Sequence, residues 1–452
     1  GASGDTVTLA AGASQSGFGQ TYSAVSWDTT PKTTTITGAA GVGYFVNTSG
    51  GAITANLPAG TAGDVIAFSD YTRTFQTNYL TITPNGAEKI GGVAASFYAQ
   101  TEGQSITLVY VDATEGWINT AESTGQAGLN PTFITATGGT ITTVCTDYKV
   151  HTFTGPGTFT VCSVGNPIGS TTVDYMVIAG GGAGANKSSP AGTGETGGGG
   201  GAGGYRESSG AASGSYTISP LGACVSALPV SVQGYTITVG AGGTSSFVCG
   251  STSPARSGSN SIFSTITSTG GGGAGLRSFT TPADLAYGAP GGSGGGGSYH
   301  GPENTGKPGG TGNTPPVSPP QGQPGGNGPG PSGNSSSGAG GGATAAGTGP
   351  GGAGIGGTGG VGATSSINAT PTGRAGGGGG GGSIACSSPN PGSGPASDGG
   401  GVGGNRCGIV GTNGTTNTGG GGGGGSGGGG SPAPGAVGQG GSGIVIIRYK
   451  FQ

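Results

Sequence analysis

Charge is nearly absent from this chain: 13 basic and 16 acidic side chains stand among 452 residues, with two histidines and one methionine. Nucleic-acid binding depends on clustered Lys and Arg that release counterions, and no such cluster exists. No apolar run approaches the length of a membrane-spanning helix, so membrane insertion is not expected. There is no CxxC, and His151 and His300 are the only imidazoles, so a metal centre is not expected and no cofactor is called for. Carboxylates are sparse as well. Glu195, Glu207, Asp284 and Glu303 show no spacing that singles out a glycosidase pair, and no nucleophile can be assigned to either histidine. The chain reads as a non-enzyme.

What it has instead is glycine. Between Gly180 and Gly443, 93 of 264 residues are glycine, with unbroken runs at 197–201, 376–382 and 419–425. Collagen is excluded because the runs are contiguous rather than spaced every third residue. Composition alone allows a disordered linker. Two apolar strands bracket the region, however: Tyr175-Met176-Val177-Ile178-Ala179 before it and Ile444-Val445-Ile446-Ile447 after it. A linker has no need of matched strands at its ends, whereas a module that leaves a sheet and returns to it does. Ordering a glycine run costs more backbone entropy than ordering any other residue, so a lattice must compensate. Polyproline-II-like rods, with three residues per turn and free N–H and C=O groups, can pack side by side and bond laterally. An ordered polyglycine lattice is therefore expected.

The rest reads as strands. Residues 1–124 suggest short strands at 33–37, 43–47, 52–57, 64–69, 80–83 and 105–112, with turn signals at Leu57-Pro58-Ala59-Gly60 and Pro84-Asn85-Gly86. The fold class expected is all-β: a small N-terminal sandwich or roll for attachment, a linker at 125–130, and a glycine-rich domain over 131–452. Strands in that domain are expected at 141–144, 149–154, 158–161, 173–179, 215–219, 235–239 and 261–267, with the C-terminal strand at 444–451. Gly1 is not an initiator methionine and nothing near it resembles a signal peptide, so a truncated or processed chain is expected.

Six cysteines fall as three adjacent pairs, Cys145/Cys162, Cys224/Cys249 and Cys386/Cys407, which suggests disulfides and an oxidising or extracellular setting. Cys145 and Cys162 flank two strands joined through Gly155-Pro156-Gly157, which makes a cross-strand bridge plausible. Loops on a rigid scaffold commonly carry recognition. The candidates combining aromatic faces with polar groups are Tyr205, Arg206, Arg277, Tyr287, Tyr299, His300 and Asn304, suited to stacking on sugars and bonding their hydroxyls. The plainer reading is that Tyr205 covers a sheet edge and Arg206 caps a glycine run.

The second half resembles the glycine-rich domain of bacteriophage tail-fibre and other virion proteins, especially those of marine and cyanobacterial phages. The likeness is carried by Val173-Asp174-Tyr175-Met176-Val177-Ile178-Ala179-Gly180-Gly181-Gly182, Gly203-Gly204-Tyr205-Arg206-Glu207-Ser208, Tyr235-Thr236-Ile237-Thr238-Val239-Gly240, Gly258-Ser259-Asn260-Ser261-Ile262-Phe263 and Gly441-Ser442-Gly443-Ile444-Val445-Ile446-Ile447-Arg448-Tyr449. The N-terminal part looks like a β module of such proteins at Gly43-Tyr44-Phe45-Val46-Asn47-Thr48 and Leu108-Val109-Tyr110-Val111-Asp112. The architecture is related to phage tail-tip adhesins built on polyglycine-II helices. That resemblance implies a virion or extracellular protein whose partners are a host surface receptor, polysaccharide or outer-membrane protein, and other virion proteins. Trimerisation stays open. The alternatives are a structural filament without a specific ligand and, more remotely, a surface-polysaccharide depolymerase.

Overall fold

The computed structural model describes residues 25–122, 132–166, 169–185, 196–214, 216–222, 224–244, 255–277, 283–330, 336–383, 393–405, 409–426 and 437–452. The chain forms two compact units, Gly1–Pro131 and Thr132–Gln452. It is all-β, with only 3-10 turns besides strands among the described residues. No helix there is long and apolar enough to cross a membrane.

In the first unit β1 (Ser26–Lys32), β2 (Ile36–Thr37), β3 (Val42–Val46), β4 (Ile53–Asn56), β5 (Val65–Asp70) and β6 (Leu80–Thr83) fall alternately into two sheets. Within each sheet these strands pair in parallel, β1–β3–β5 and β2–β4–β6. β7 (Phe97–Ala99), β8 (Ser105–Asp112) and β9 (Gly116–Glu122) then close the roll with antiparallel pairings. Period-two alternation explains the interior: Ile53, Ala55, Leu80 and Ile82 from one sheet meet Ile66, Phe68, Ile106 and Leu108 from the other. Trp117 is fully buried against Tyr110, with its indole N–H donating to Glu88.

The second unit has three layers. β10 (Thr135–Thr137), β11 (Thr140–Val144), β12 (Tyr148–Phe153), β13 (Gly157–Ser163), β14 (Thr172–Ile178), β15 (Tyr205–Glu207), β16 (Leu228–Pro229), β17 (Gly234–Thr238), β18 (Ser261–Phe263), β19 (Ile266–Ser268) and the C-terminal strand Ile444–Lys450 make two antiparallel sheets. One runs β10-β13-β17-β18-β19. The other runs β11-β12, then the C-terminal strand, then β14-β15, with β16 against the start of β14. Short hairpins complete the unit: β20 (Tyr299–His300) with β21 (Thr305–Gly306), and β22 (Ala363–Ser365) with β23 (Thr372–Arg374). In chain order the C-terminal strand is β24. As the bracketing pattern predicted, β14 pairs with β24, from Asp174 opposite Arg448 to Ile178 opposite Ile444. The strand expected at 215–219 is absent over Tyr216–Ser219, where the chain instead enters a 3-10 turn at Pro220–Gly222; residue 215 lies outside the described residues.

That pairing puts the two faces of β14 and β24 to different uses. Tyr175, Val177, Val445, Ile447 and Tyr449 pack with Phe159, Val161, Ile237 and Phe263 of the other sheet. Met176, Ile178, Ile444 and Ile446 pack with Ala202, Ala343, Ala363 and Ala375, small residues of the glycine-rich region.

The third layer is the polyglycine lattice. The segment 197–204 donates in strict rotation to three rods. Gly197, Gly200 and Gly203 bond Gly425, Gly422 and Gly419; Gly198, Gly201 and Gly204 bond Gly275, Gly272 and Thr269; Gly199 and Ala202 bond Gly338 and Gly341. Its carbonyls accept from three more rods, through Ala179, Gly182 and Ala185, through Ser293 and Gly296, and through Gly378 and Gly381. All these bonds are 2.7–3.1 Å long. A partner that recurs every third residue is the signature of a three-residue turn. None of residues 197–201, 376–382 and 420–425 has positive φ. Glycine is needed there for close approach: a Cβ built on Gly200, Gly379 or Gly422 would come under 3.0 Å from a neighbouring carbonyl, those of Gly182, Gly394 and Gly438 respectively.

Gly379→Val and Gly422→Val should therefore each destabilise the unit by about 1–3 kcal/mol or more. Gly330→Ala, whose Cβ would meet nothing within 4 Å, should change stability by less than about 0.5 kcal/mol. Urea melts of the three variants check this, and equal melts would refute the lattice constraint.

A second prediction concerns His151, buried on β12. Its Nδ1–H donates to the Gly138 carbonyl at 2.7 Å, and Nε2 accepts from the Tyr449 hydroxyl at 3.1 Å. Burial, helped by Lys149, pushes its pKa below the ordinary 6.5, against the pull of the Gly138 bond. The stability is thus complete above the unfolded pKa. It falls as pH drops from about 6.5 toward the folded pKa, because the unfolded chain binds the proton first. The urea midpoint should decline between pH 7 and 5, and decline less in His151→Gln; parallel declines in the two proteins would exclude His151 as the cause.

Candidate functional site

Five of the seven recognition residues expected from sequence come together around one hairpin. Tyr299 pairs with Gly306 and His300 with Thr305, so β20 and β21 present residues 301–304 as the connecting turn. The turn is closed by the Asn304 N–H donating to the Gly301 carbonyl at 3.0 Å. Asn304 sits at φ 50°, a left-handed conformation that asparagine tolerates better than most residues. The Tyr299 hydroxyl donates to Asn304 Oδ1 at 2.5 Å, fixing that side chain across the turn. Behind Tyr299 the Arg277 guanidinium lies 5.1 Å from the ring centroid. The hairpin is anchored at its base, where Ser298 N–H donates to Ala286 and Lys307 N–H donates to Ser298, both at 2.8 Å.

The charges are arranged in a chain. Lys307, 6% exposed, donates from Nζ to the Glu303 carboxylate, and the same ammonium lies 5.4 Å from the Tyr287 ring centroid. His300 is buried beneath the turn, with Nδ1 3.5 Å from the other Glu303 oxygen. The hydrogen bond from Lys307 holds the Glu303 carboxyl below the usual carboxylate range, and the attraction of Lys307 and His300 adds to it. The same hydrogen bond raises the Lys307 pKa. Both groups are ionised at neutral pH. Glu303 keeps about half of its side chain in solvent and Tyr287 is 43% exposed. A carboxylate with free acceptor capacity beside an exposed aromatic face can accept hydroxyl hydrogens and stack on a flat apolar surface.

Tyr205 and Arg206 do not belong to this site. Both lie on β15, where Tyr205 pairs with Ile178 and Arg206 with Val177. Tyr205 is fully buried, its hydroxyl donating to Glu207 at 2.9 Å, and burial pushes the phenol pKa well up. Glu207 also accepts from Ser219 N–H and Ser365 Oγ. Asp174 is buried close by along the same sheet and accepts from Ser208 Oγ and from Ser213 N–H and Oγ. Arg448 stacks between Tyr148 and Tyr216, 4.5 and 4.9 Å from their ring centroids. This is a polar seam inside the unit, closed to large ligands. Tyr205 lies on the edge strand β15 itself, and its ring packs on the face of the sheet with Met176, Ile178 and Ala202 rather than covering the edge.

The Cys145/Cys162 bridge is not formed. The two strands joined through Gly155-Pro156-Gly157, β12 and β13, enter different sheets, so no hairpin brings the thiols together. Cys145, Cys162 and Cys224 are exposed free thiols. Cys249, Cys386 and Cys407 lie outside the described residues. Sequence reasoning named Glu303 only among the scarce carboxylates and missed Lys307 altogether. Their signal was present as an opposite-charge pair four residues apart in one loop of a charge-poor chain.

The model of a family described as a glycine-rich domain matches residues 152–450. No curated protein matches the chain.

Tyr299→Phe removes the bond that pins Asn304, worth about 0.5–1.5 kcal/mol. Hydrogen exchange of the amides of residues 301–307 should accelerate by about two- to tenfold, with the global melt little changed. Unaltered exchange would mean that the turn is held without Tyr299.

Proposed function

The chain belongs to the glycine-rich domain family, and from that premise we propose that it is a bacteriophage tail-fibre or tail-tip adhesin, whose polyglycine lattice displays a loop that binds a host surface receptor. The N-terminal roll attaches it to the particle, the protein acts outside the cell as part of the virion, and its work is binding rather than catalysis. The observation that carries this reading is the braced hairpin. In a chain with so few charges, Glu303, Lys307, His300 and Arg277 converge on one turn together with Tyr287 and Tyr299. A rigid loop loses little entropy on binding, and pre-organisation of this kind raises affinity.

A filament without a specific ligand is the second reading, favoured by Val361, Val402, Ile409 and Val410, which stand exposed on the glycine-rich region. The test is binding of the full chain to intact cells of a bacterial panel, marine cyanobacteria included. Saturable binding to some strains is expected, weakened at least about tenfold by Tyr287→Ala combined with Glu303→Gln. Binding to no strain, together with filaments in sedimentation and electron micrographs, would replace the adhesin with the structural reading.

A further inference from the structure

A groove of roughly 280 Å³ opens between residues 327–330 and 349–352. It begins where two lattice rods part. At Pro324 and Gly347 the rods are bonded, Gly347 N–H to the Pro324 carbonyl at 3.0 Å. Two residues on along one rod and three along the other they still touch, since a Cβ on Gly349 would lie 3.3 Å from the Asn327 carbonyl. At Gly330 and Gly352 an added Cβ would meet nothing within 4 Å. The groove also adjoins the hairpin: Gly328 N–H donates to the Lys307 carbonyl at 2.8 Å, and Lys307 carries Glu303.

The lining sets the chemistry of an occupant. It consists of glycine, proline and Asn327, with no ionisable side chain. Pro329 and Pro350 have no N–H to offer. Among the described residues nothing donates to the carbonyls of Gly330 or Pro350 and nothing accepts from the N–H groups of Gly330 or Gly349, while the Pro329 carbonyl lies against Gly306. The walls therefore offer backbone donors as well as acceptors and carry no charge. An anion would find no cation in these walls and an ammonium no counter-charge, and burying an uncompensated charge is costly. A neutral group rich in hydroxyls can donate to those carbonyls and accept from those N–H groups, with C–H faces for the half-buried Pro350 ring. The volume is just under the lower end of small-ligand pockets, about 300 Å³, which suits a unit of one or two rings.

We infer that this groove is the sugar-binding half of the recognition site and takes an uncharged saccharide unit, with the hairpin contacting the adjoining part of the receptor. The inference rests on the adhesin reading and specifies its ligand class as a neutral glycan. No bond is made or broken; the step is binding alone.

The test uses the full chain against immobilised dextran, mannan and galactan as neutral probes, polygalacturonate as the acidic one and chitosan as the cationic one. Retention on at least one neutral polymer above both charged ones is expected. Gly330→Val and Gly352→Val each place a side chain in open groove space and should weaken that retention at least tenfold with unchanged melting temperatures. Retention on no neutral polymer, preference for a charged one, or neutral binding indifferent to both variants would overturn the inference. Cell binding separates the two levels. If cells are bound and both valine variants bind them as the parent does, the adhesin reading stands and the groove assignment falls. If no cell is bound, the adhesin reading itself fails.

Discussion

Lateral hydrogen bonding between rods without side chains is the constraint on which the second unit depends. Within a helix a backbone satisfies itself, and within a sheet it bonds two neighbours in a plane. The segment 197–204 does neither: its N–H groups reach three rods and its carbonyls receive three others. Carbonyl oxygens therefore surround each rod at distances that leave no volume for a Cβ, which explains the contiguous glycine runs. The entropy lost in ordering them is offset only when the whole bundle forms, so the lattice is cooperative by construction.

Such a bundle has almost no apolar surface of its own, and the sheet supplies it. β14 and β24 are buried on both faces, one against a second sheet and one against alanines at the lattice boundary. The glycine-rich region starts directly after β14 and ends directly before β24, and because these two strands pair, its first and last residues are held side by side. The buried Asp174, Glu207 and Arg448 fix that boundary. Each carboxylate accepts two or more hydrogen bonds, and the guanidinium lies between two tyrosine rings.

Rigidity of this kind gives irregular segments a stable mount. The hairpin at 299–306 begins and ends on residues bonded into the lattice, and the groove beside it exists because two rods stop touching. Features of a site that are usually made by large side chains are made here by where rods end and part.

Alternation in β8, the turn signals of the first unit and the matched strands around the glycine region were local patterns, and local patterns determine strand identity and the all-β class. The lattice was legible too, because only glycine meets its steric demand. Partner identity was not. Tyr205 follows a glycine run much as Tyr299 does, yet one closes a buried network and the other braces an exposed turn. That difference comes from residues more than 150 positions away, such as Ser365 beneath Glu207. Cys145 and Cys162 looked like neighbours in sequence, but the strands between them join different sheets. Side-chain size and period in the sequence were enough for the rods and for the strongly alternating strands such as β8, but not for the segment 216–219, which carries a strand-like pattern and forms none. Only the fold settled which loops face solvent and which distant groups meet, because those depend on how rods far apart in the chain are laid side by side.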